Sequence, residues 1–436
     1  MKIKKIKLTY DSLAVLLIMF YSFNYTIAGL IYGSKLVIDI SFAIVVVLLV
    51  ISTIKKNGML MDSKLWLLFV CILFALINNR RFAVGEYAPK LLCWFAAMIC
   101  LILLRNKISW LSVYTKALYI FSVFHLICAW LFKIVPGLTR RFANLFSGAT
   151  KETILLHYNR GFLTGITTHY STLAIYLGHG VLVLWVLYFN SYSKKAQKRY
   201  LELLIATGLT LFMVGKRGMI VFVVLTLLIY SLVIKARDIR KILPIVLKYV
   251  FLGGIVLSVI FILANTLMPQ MLVTIGRFIG GTEGTDFTGN RLNMWSLAIN
   301  LFKEHPILGI GWNGYREAYE SAWYHGSLDQ TLDTHNVYLQ LLCETGIVGF
   351  VVFMTLFISS LVSICKTLRK CIFNKIYPKG DWHLTILEIS CVLQIIFLLY
   401  CFTGNPLYDP QNLIVYFLSI AAADTLRRDM RMKERI

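Results

Sequence analysis

Charged side chains are scarce in this chain. Asp, Glu, Lys and Arg make up 15% of its 436 residues, against 58% hydrophobic ones. A soluble protein of this length would divide into two or three domains and would lack the polar surface to cover so much apolar bulk. A bilayer solvates that bulk directly, so the expected class is a polytopic membrane protein. The mean hydropathy of +0.73 agrees. Acid is scarcer still: 21 acidic residues face 44 basic ones, for a formal net charge of +23. That excess does not call for nucleic acid, because the basic residues come in short clusters between apolar runs, the pattern of cytoplasmic membrane loops. The nine cysteines lie in apolar segments or, like Cys371, in a basic loop. None stands in a long outer loop, so no disulfide framework is inferred. Internal repeats, low-complexity tracts and a convincing cluster of metal ligands are also missing. Asp329 and Asp333 in DQTLD read as loop caps rather than ligands.

What the chain does have is long apolar runs. About 20 apolar residues carry a helix across the hydrocarbon core. Candidate spans fall at roughly 12–32, 36–54, 65–79, 91–104, 109–134, 166–189, 200–214, 219–234, 244–267, 335–365, 384–403 and 411–425. MKIKKIK resembles the start of a signal peptide, but no small-residue cleavage site follows, so it reads as the lead into an uncleaved first span. The pair 200–214 and 219–234 is bounded by SYSKKAQKRY and KARDIRK. Both flanks should therefore be cytoplasmic, with an even number of crossings between them. At about 1.5 Å per residue the intervening stretch is too long for one span, so two is the economical number. The expected fold is all-α, with about 12 transmembrane helices forming one membrane domain over 1–436 and both termini in the cytoplasm. Two outer segments are then long, 136–165 and 268–333. The second carries aromatics and regular apolar spacing, which point to order and function.

Within that loop, TGNRLNMWSLAINLFKEHPILGIGWNGY predicts a short helix and a turn. Thr288 or Asn290 can cap the helix, and Pro306 stops it near His305. Arg291, Trp295, Ala298 and Phe302 fall on one face, and the aromatics suit a helix lying at the membrane surface. Gly309 and Gly311 permit tight non-helical backbone afterwards. DTHN follows, where Asp333 or Thr334 can cap the next span and place His335 in its first turn. A helix N-terminus disfavours imidazolium, so a histidine there can accept a proton near neutral pH. The competing reading is a cap or an interfacial-belt residue. Asn336 can orient His335 or satisfy backbone groups, and Glu344, a carboxylate deep in an apolar helix, can structure the site or serve local helix packing.

Arg217 and Lys216 stand in GKRG, between two apolar spans that should meet on the outer face. Basic residues are disfavoured in a short outer turn. Guanidinium suits bidentate phosphate binding, whereas the simpler reading is snorkelling to headgroups. In TGITTHYSTLAIYLGHG, Thr168, Thr172, Tyr176 and His179 follow helical spacing, and His169 sits near the outer end where it could contact glycan. Interhelical hydrogen bonding is the alternative for these residues. His125 reads as a satisfied buried group. Arg80, Arg81, Arg140, Arg141 and Arg160 could attract an anionic lipid carrier or meet phospholipid headgroups.

The run from GNRLNMW through HPILGIGWNGY to DTHNVYLQLLCETGIVG, within residues 286–350, resembles the signature region of the bacterial O-antigen ligase and polymerase superfamily. His335 and Gly346 stand in that family's His-x10-Gly arrangement. Arg217 fits its arginine in a short outer turn, and Arg291 fits the arginine of its large loop. One departure is the Arg-x3-Leu pattern of ligases, which here reads Arg-x3-Trp and ends in Trp295.

The resemblance implies an inverting, metal-independent, GT-C-like enzyme with no cofactor. It would act at the outer face of a bacterial cytoplasmic membrane on undecaprenyl-pyrophosphate-linked glycan. Under it, His335, Arg291 and Arg217 are the catalytic group. The residues themselves add Lys216, Trp295, Asn336, His169 and Arg160 as candidates to bind the substrate, and Glu344, Gly346, Gly309 and Gly311 as candidates to support the site. The acceptor would be a lipid-linked repeat unit for a polymerase, or lipid A core or protein for a ligase. A flippase and a chain-length regulator are further expected partners. Trp295 and a Lys/Ile/Phe/Tyr/Asn-rich composition favour the polymerase, while the His-x10-Gly spacing favours the ligase. A flippase or transporter would share the topology, but it should carry its ionisable groups near the midplane, at broken helices.

Overall fold

The computed structural model describes residues 12, 15, 16, 18, 19, 63–77, 108–146, 148–235, 291–323, 333–407 and 409–433. Among these residues the regular structure is entirely helical. The helices are α1 (Ser63–Ile77), α2 (Leu111–Ile134), α3 (Pro136–Ala143), α4 (Gly148–Asn159), α5 (Tyr170–Asn190), α6 (Lys194–Val214) and α7 (Arg217–Ile229), the last running on as a π-helical turn over Tyr230–Lys235. Then come α8 (Arg291–Glu304), α9 (Gly314–Trp323), α10 (Val337–Phe373), α11 (Trp382–Tyr400) and α12 (Pro410–Lys433).

Four of them, α2, α5, α10 and α11, are long and apolar enough to cross a membrane, and α1 and α7 are apolar but shorter. The third, fifth to eighth and tenth to twelfth expected spans correspond to helices. The second, fourth and ninth, and nearly all of the first, lie outside the described residues, as do Arg80, Arg81, Thr288 and Asn290. Segment 136–165 is itself helical: Pro136 opens α3, where its missing N–H costs nothing, and α4 follows.

The chain forms two compact units. One comprises Met1–Ile38, Ile108–Thr285 and Cys365–Ile396. Its centre is α5, buried from Leu173 to Leu187 and packed on α2, α6 and α7. Small residues allow the approach, since a methyl group added to Gly180 would come within 3.0 Å of Ser122. His125 is buried, as expected, and its Nδ1 lies 2.8 Å from the Phe121 carbonyl, with its ring centre 4.4 Å from that of Tyr176. Tyr176 and His179 are buried, whereas Thr168 precedes the helix. The buried carboxylate of Glu388 accepts from the Tyr230 hydroxyl at 2.5 Å and from the Asn190 amide.

The second unit comprises Asp39–Lys107, Asp286–Ile364 and Phe397–Ile436. Phe353, Phe357, Phe397 and Tyr416 form an aromatic core, with Phe397 and Tyr416 stacked at 4.0 Å. Lys64 and Asp424 make a buried ion pair at 2.6 Å, joined by Arg427 at 3.3 Å from the same carboxylate oxygen. Charges so deep in an apolar body persist only when paired.

Candidate active site

The tenth expected span is not one continuous helix. It begins at Val337 and breaks at Gly346, whose φ of 60° and ψ of −170° belong to a region that only glycine occupies readily. An unbroken helix would bond the N–H of Ile347 to the carbonyl of Cys343, and that of Val348 to Glu344. Both partners are exchanged. Ile347 N–H donates to Pro306 O at 2.9 Å and Val348 N–H to Ile307 O at 3.3 Å. The freed carbonyls of Cys343 and Glu344 accept from Ile310 and Gly311 N–H, each at 2.9 Å. The PILGIG segment is thus stitched into the gap by four backbone hydrogen bonds. This is how irregular backbone survives in an apolar protein, because each buried group left unmade there would cost several kcal/mol.

The same stitching explains the glycines. A Cβ on Gly346 would fall 2.2 Å from Ile307 O, and one on Gly309 would fall 2.4 Å from the Glu344 carbonyl carbon. Gly309 and Gly311 also adopt positive φ, 72° and 103°. The two ends of the His-x10-Gly pattern therefore do different work: the glycine makes the break, and the histidine stands at the mouth of the broken arm.

His335 does not lie in the first turn. Asn336 caps α10, its Oδ1 accepting from Leu339 N–H at 3.1 Å, so neither Asp333 nor Thr334 serves as the cap. His335 stands one residue outside, half-buried, with φ of 51°. Histidine visits this left-handed region more readily than most residues, but at a cost of about 1–2 kcal/mol. Its neighbours hold it there. Thr334 Oγ1 accepts from Asn336 N–H at 3.1 Å and donates toward Asn336 O at 2.7 Å.

Asp333 has a different partner from the one the sequence offered. Arg316 of α9 grips it with both ends of its fork, Nε to Oδ1 at 2.7 Å and Nη2 to Oδ2 at 2.6 Å. Glu344 is fully buried and accepts from Gln340 Nε2 at 3.1 Å and from Tyr315 N–H at 3.4 Å, closing an open donor at the start of α9. Burial, reinforced by Cys343, Tyr319, Asp333 and Glu344, pushes the Tyr315 phenol well up, so it remains a neutral donor to Met294 O at 3.0 Å.

Helix α8 is fixed by its apolar face. Met294 and Ala298 form a small core with Tyr315 and Cys343, and Trp295, Phe302 and Leu339 pack around it. Its end falls at Glu304, just before His305 and Pro306, as the sequence predicted. Arg291 is the first residue of α8 and half-buried. One turn on, Trp295 donates its indole N–H to the Thr334 carbonyl at 3.1 Å, which ties the arginine-bearing helix to the residue before His335. Arg291, Trp295, His335, Asn336, Glu344, Gly346, Gly309 and Gly311 all belong to the second unit.

Lys216, Arg217, His169 and Arg160 belong to the first unit. Gly215, at φ of 78°, ends α6, and Arg217 opens α7, so GKRG is the tight turn between two helices that its spacing suggested. Lys216 and Arg217 are both half-buried. His169 caps α5, its Nδ1 accepting from Ser171 N–H at 3.0 Å. Its ring stacks on Tyr170 and lies 4.4 Å from the ring of His157, while Arg160 is exposed. Burial, and then the Arg160 charge, lower the basicity of His157. Sequence reasoning passed over Gln340, Arg316 and His157. Gln340 and Arg316 carried no motif, and only their partners reveal them.

Among the described residues no group of three or more His, Cys, Asp or Glu could hold a metal ion. No curated protein matches the chain. Residues 202–354 match the O-antigen ligase family model, a stretch that contains Arg217, Arg291, His335 and Gly346 and leaves out Arg160 and His169. Over residues 202–354 the match supports the O-antigen ligase and polymerase superfamily, and the membrane-length apolar helices point with it to an integral membrane protein.

Proposed function

We propose that the protein is a polysaccharide polymerase of the bacterial cytoplasmic membrane. It transfers glycan from undecaprenyl pyrophosphate to a hydroxyl of a lipid-linked repeat unit, building capsule, exopolysaccharide or O-antigen. The observation that carries this reading is His335, held in a left-handed backbone beside the helix that begins at Arg291, within a superfamily domain. A neutral imidazole at that point takes the proton of the attacking acceptor hydroxyl. The acceptor oxygen bonds to the anomeric carbon as the bond from that carbon to the pyrophosphate oxygen breaks, inverting the centre. Undecaprenyl pyrophosphate leaves with the electron pair, and its growing charge is met by Arg291 and Arg217. Two guanidinium groups supply the countercharge that a cation would otherwise provide, so catalysis needs no metal. Lys216, Trp295, Asn336, His169 and Arg160 contribute to binding. Twelve spans, cytoplasmic termini and an outward-facing site complete the reading, and a flippase and a chain-length regulator are its partners.

The family description favours a second reading, an O-antigen ligase that moves the same donor's glycan to lipid A core or protein. Purified protein given lipid-linked repeat units separates the two. A ladder of lengthening glycans supports the polymerase, while a single transfer to lipid A core or protein supports the ligase. Loss of activity in EDTA that a divalent ion restores would contradict the two-arginine mechanism.

A further inference from the structure

Gln340 lies one turn into the broken arm and is fully buried. An amide side chain offers two N–H donors and two acceptor lone pairs. Both donors and the carbonyl oxygen are engaged. Nε2 donates to Asp333 Oδ1 at 3.3 Å and to Glu344 Oε1 at 3.1 Å. Oε1 receives Thr334 N–H at 3.3 Å and faces the Thr334 hydroxyl at 3.2 Å. The two carboxylates demand donors and the Thr334 N–H is a donor, while the Thr334 hydroxyl gives its proton to Asn336 O, so the amide has one orientation that suits its partners.

We propose that Gln340 is the positioning residue of the active site, the group that holds the His335 backbone in its left-handed turn. The residue before His335 is gripped by Gln340 at its nitrogen and by Trp295 at its carbonyl. The residue after it is gripped by Thr334 Oγ1 and by its own capping bond. Asp333, one residue further back, is tied to Gln340 and to Arg316 on α9. His335 is thereby fixed from both sides without Gln340 touching substrate, and an imidazole displaced by an ångström loses its line to the acceptor hydroxyl. The inference rests on His335 being the proposed base.

The test uses full-length enzyme in lipid nanodiscs, with lipid-linked glycans extracted from the source strain. Gln340→Met keeps length and bulk but removes the bonds to Asp333, Glu344 and the Thr334 N–H. Its kcat should fall at least tenfold while KM stays within twofold, in protein that elutes and unfolds as a single species. Gln340→Glu keeps the acceptors and loses both donors when ionised. It should lose as much at pH 8 and regain turnover toward pH 6, as a protonated carboxyl supplies one donor again; wild type and Gln340→Met should show no such rise. Wild-type kcat in Gln340→Met, with His335→Ala inactive, overturns the positioning role and leaves the functional reading standing. Near-normal turnover in His335→Ala removes the reading underneath. If Gln340→Met does not fold, Thr334→Val deletes only the hydroxyl that clamps Asn336. A kcat loss at constant KM supports the inference there too, and a wild-type kcat overturns it.

Discussion

His335 and His169 are held by opposite means. The first sits where the backbone is strained, in a buried mesh of amide, carboxylate, guanidinium and hydroxyl groups whose bonds run to defined partners. The second sits in extended backbone as the cap of α5, among the rings of Tyr170 and His157. Aromatic packing is forgiving in direction, whereas a saturated polar mesh in low dielectric allows one arrangement. On the proposed reading, the difference marks where positional accuracy is needed. A fold accepts strain and buried charge where a group must stay put, and it uses cheap contacts where a group need only be near.

The largest expected break in that comparison is His335→Ala, which should lower turnover by roughly 10²–10⁴-fold while expression persists. Turnover within a few-fold of wild type would place the two histidines on the same footing. Gly346→Ala should come next, destabilising by about 3 kcal/mol or more through its forbidden backbone and the clash with Ile307 O. Thermal unfolding in detergent measures this, and an unchanged midpoint would mean that the helix is not broken there. Asn336→Ala removes the cap of α10 and should cost about 1 kcal/mol. Because the cap adjoins His335, kcat should fall as well. His169→Ala removes a cap of similar worth, at most about 1 kcal/mol, and its kinetic effect should be the smaller of the two. A drop in kcat as deep as that of His335→Ala would erase the distinction.

The smallest effect is pH-dependent and belongs to the aromatic region. His157 is less basic folded than unfolded, owing to burial and Arg160. The unfolded chain therefore binds the proton more readily, and stability is full above the ordinary imidazole value of 6.5 and declines as pH falls below it. His157→Gln should flatten the fall in unfolding midpoint between about pH 7 and pH 5. Curves of equal slope would remove His157 as the cause.

Much of this was readable in advance. The end of α8 at His305-Pro306, the shared face of Trp295, Ala298 and Phe302, and the tight GKRG turn follow from spacing and from proline and glycine chemistry. The cap of α10 was misread because Asp333, Thr334 and Asn336 are all good caps, and the choice among them is decided by Arg316 and Gln340, which take the first two for other duties. The helices of 136–159 were hidden because they are short and neither is long and apolar enough for a span.

The sequence alone determined that this chain is helical and made for a bilayer, because hydropathy and length act residue by residue and need no neighbours in space. It also marked His335, Arg291 and the three glycines as belonging together. Only the tertiary structure decided that Gly346 breaks a helix, that residues 306–311 fill the break, and that Gln340 joins Asp333, Thr334 and Glu344. The physical reason is that hydrogen bonds between distant segments are satisfied pairwise in space, and no local pattern of residues records which donor meets which acceptor.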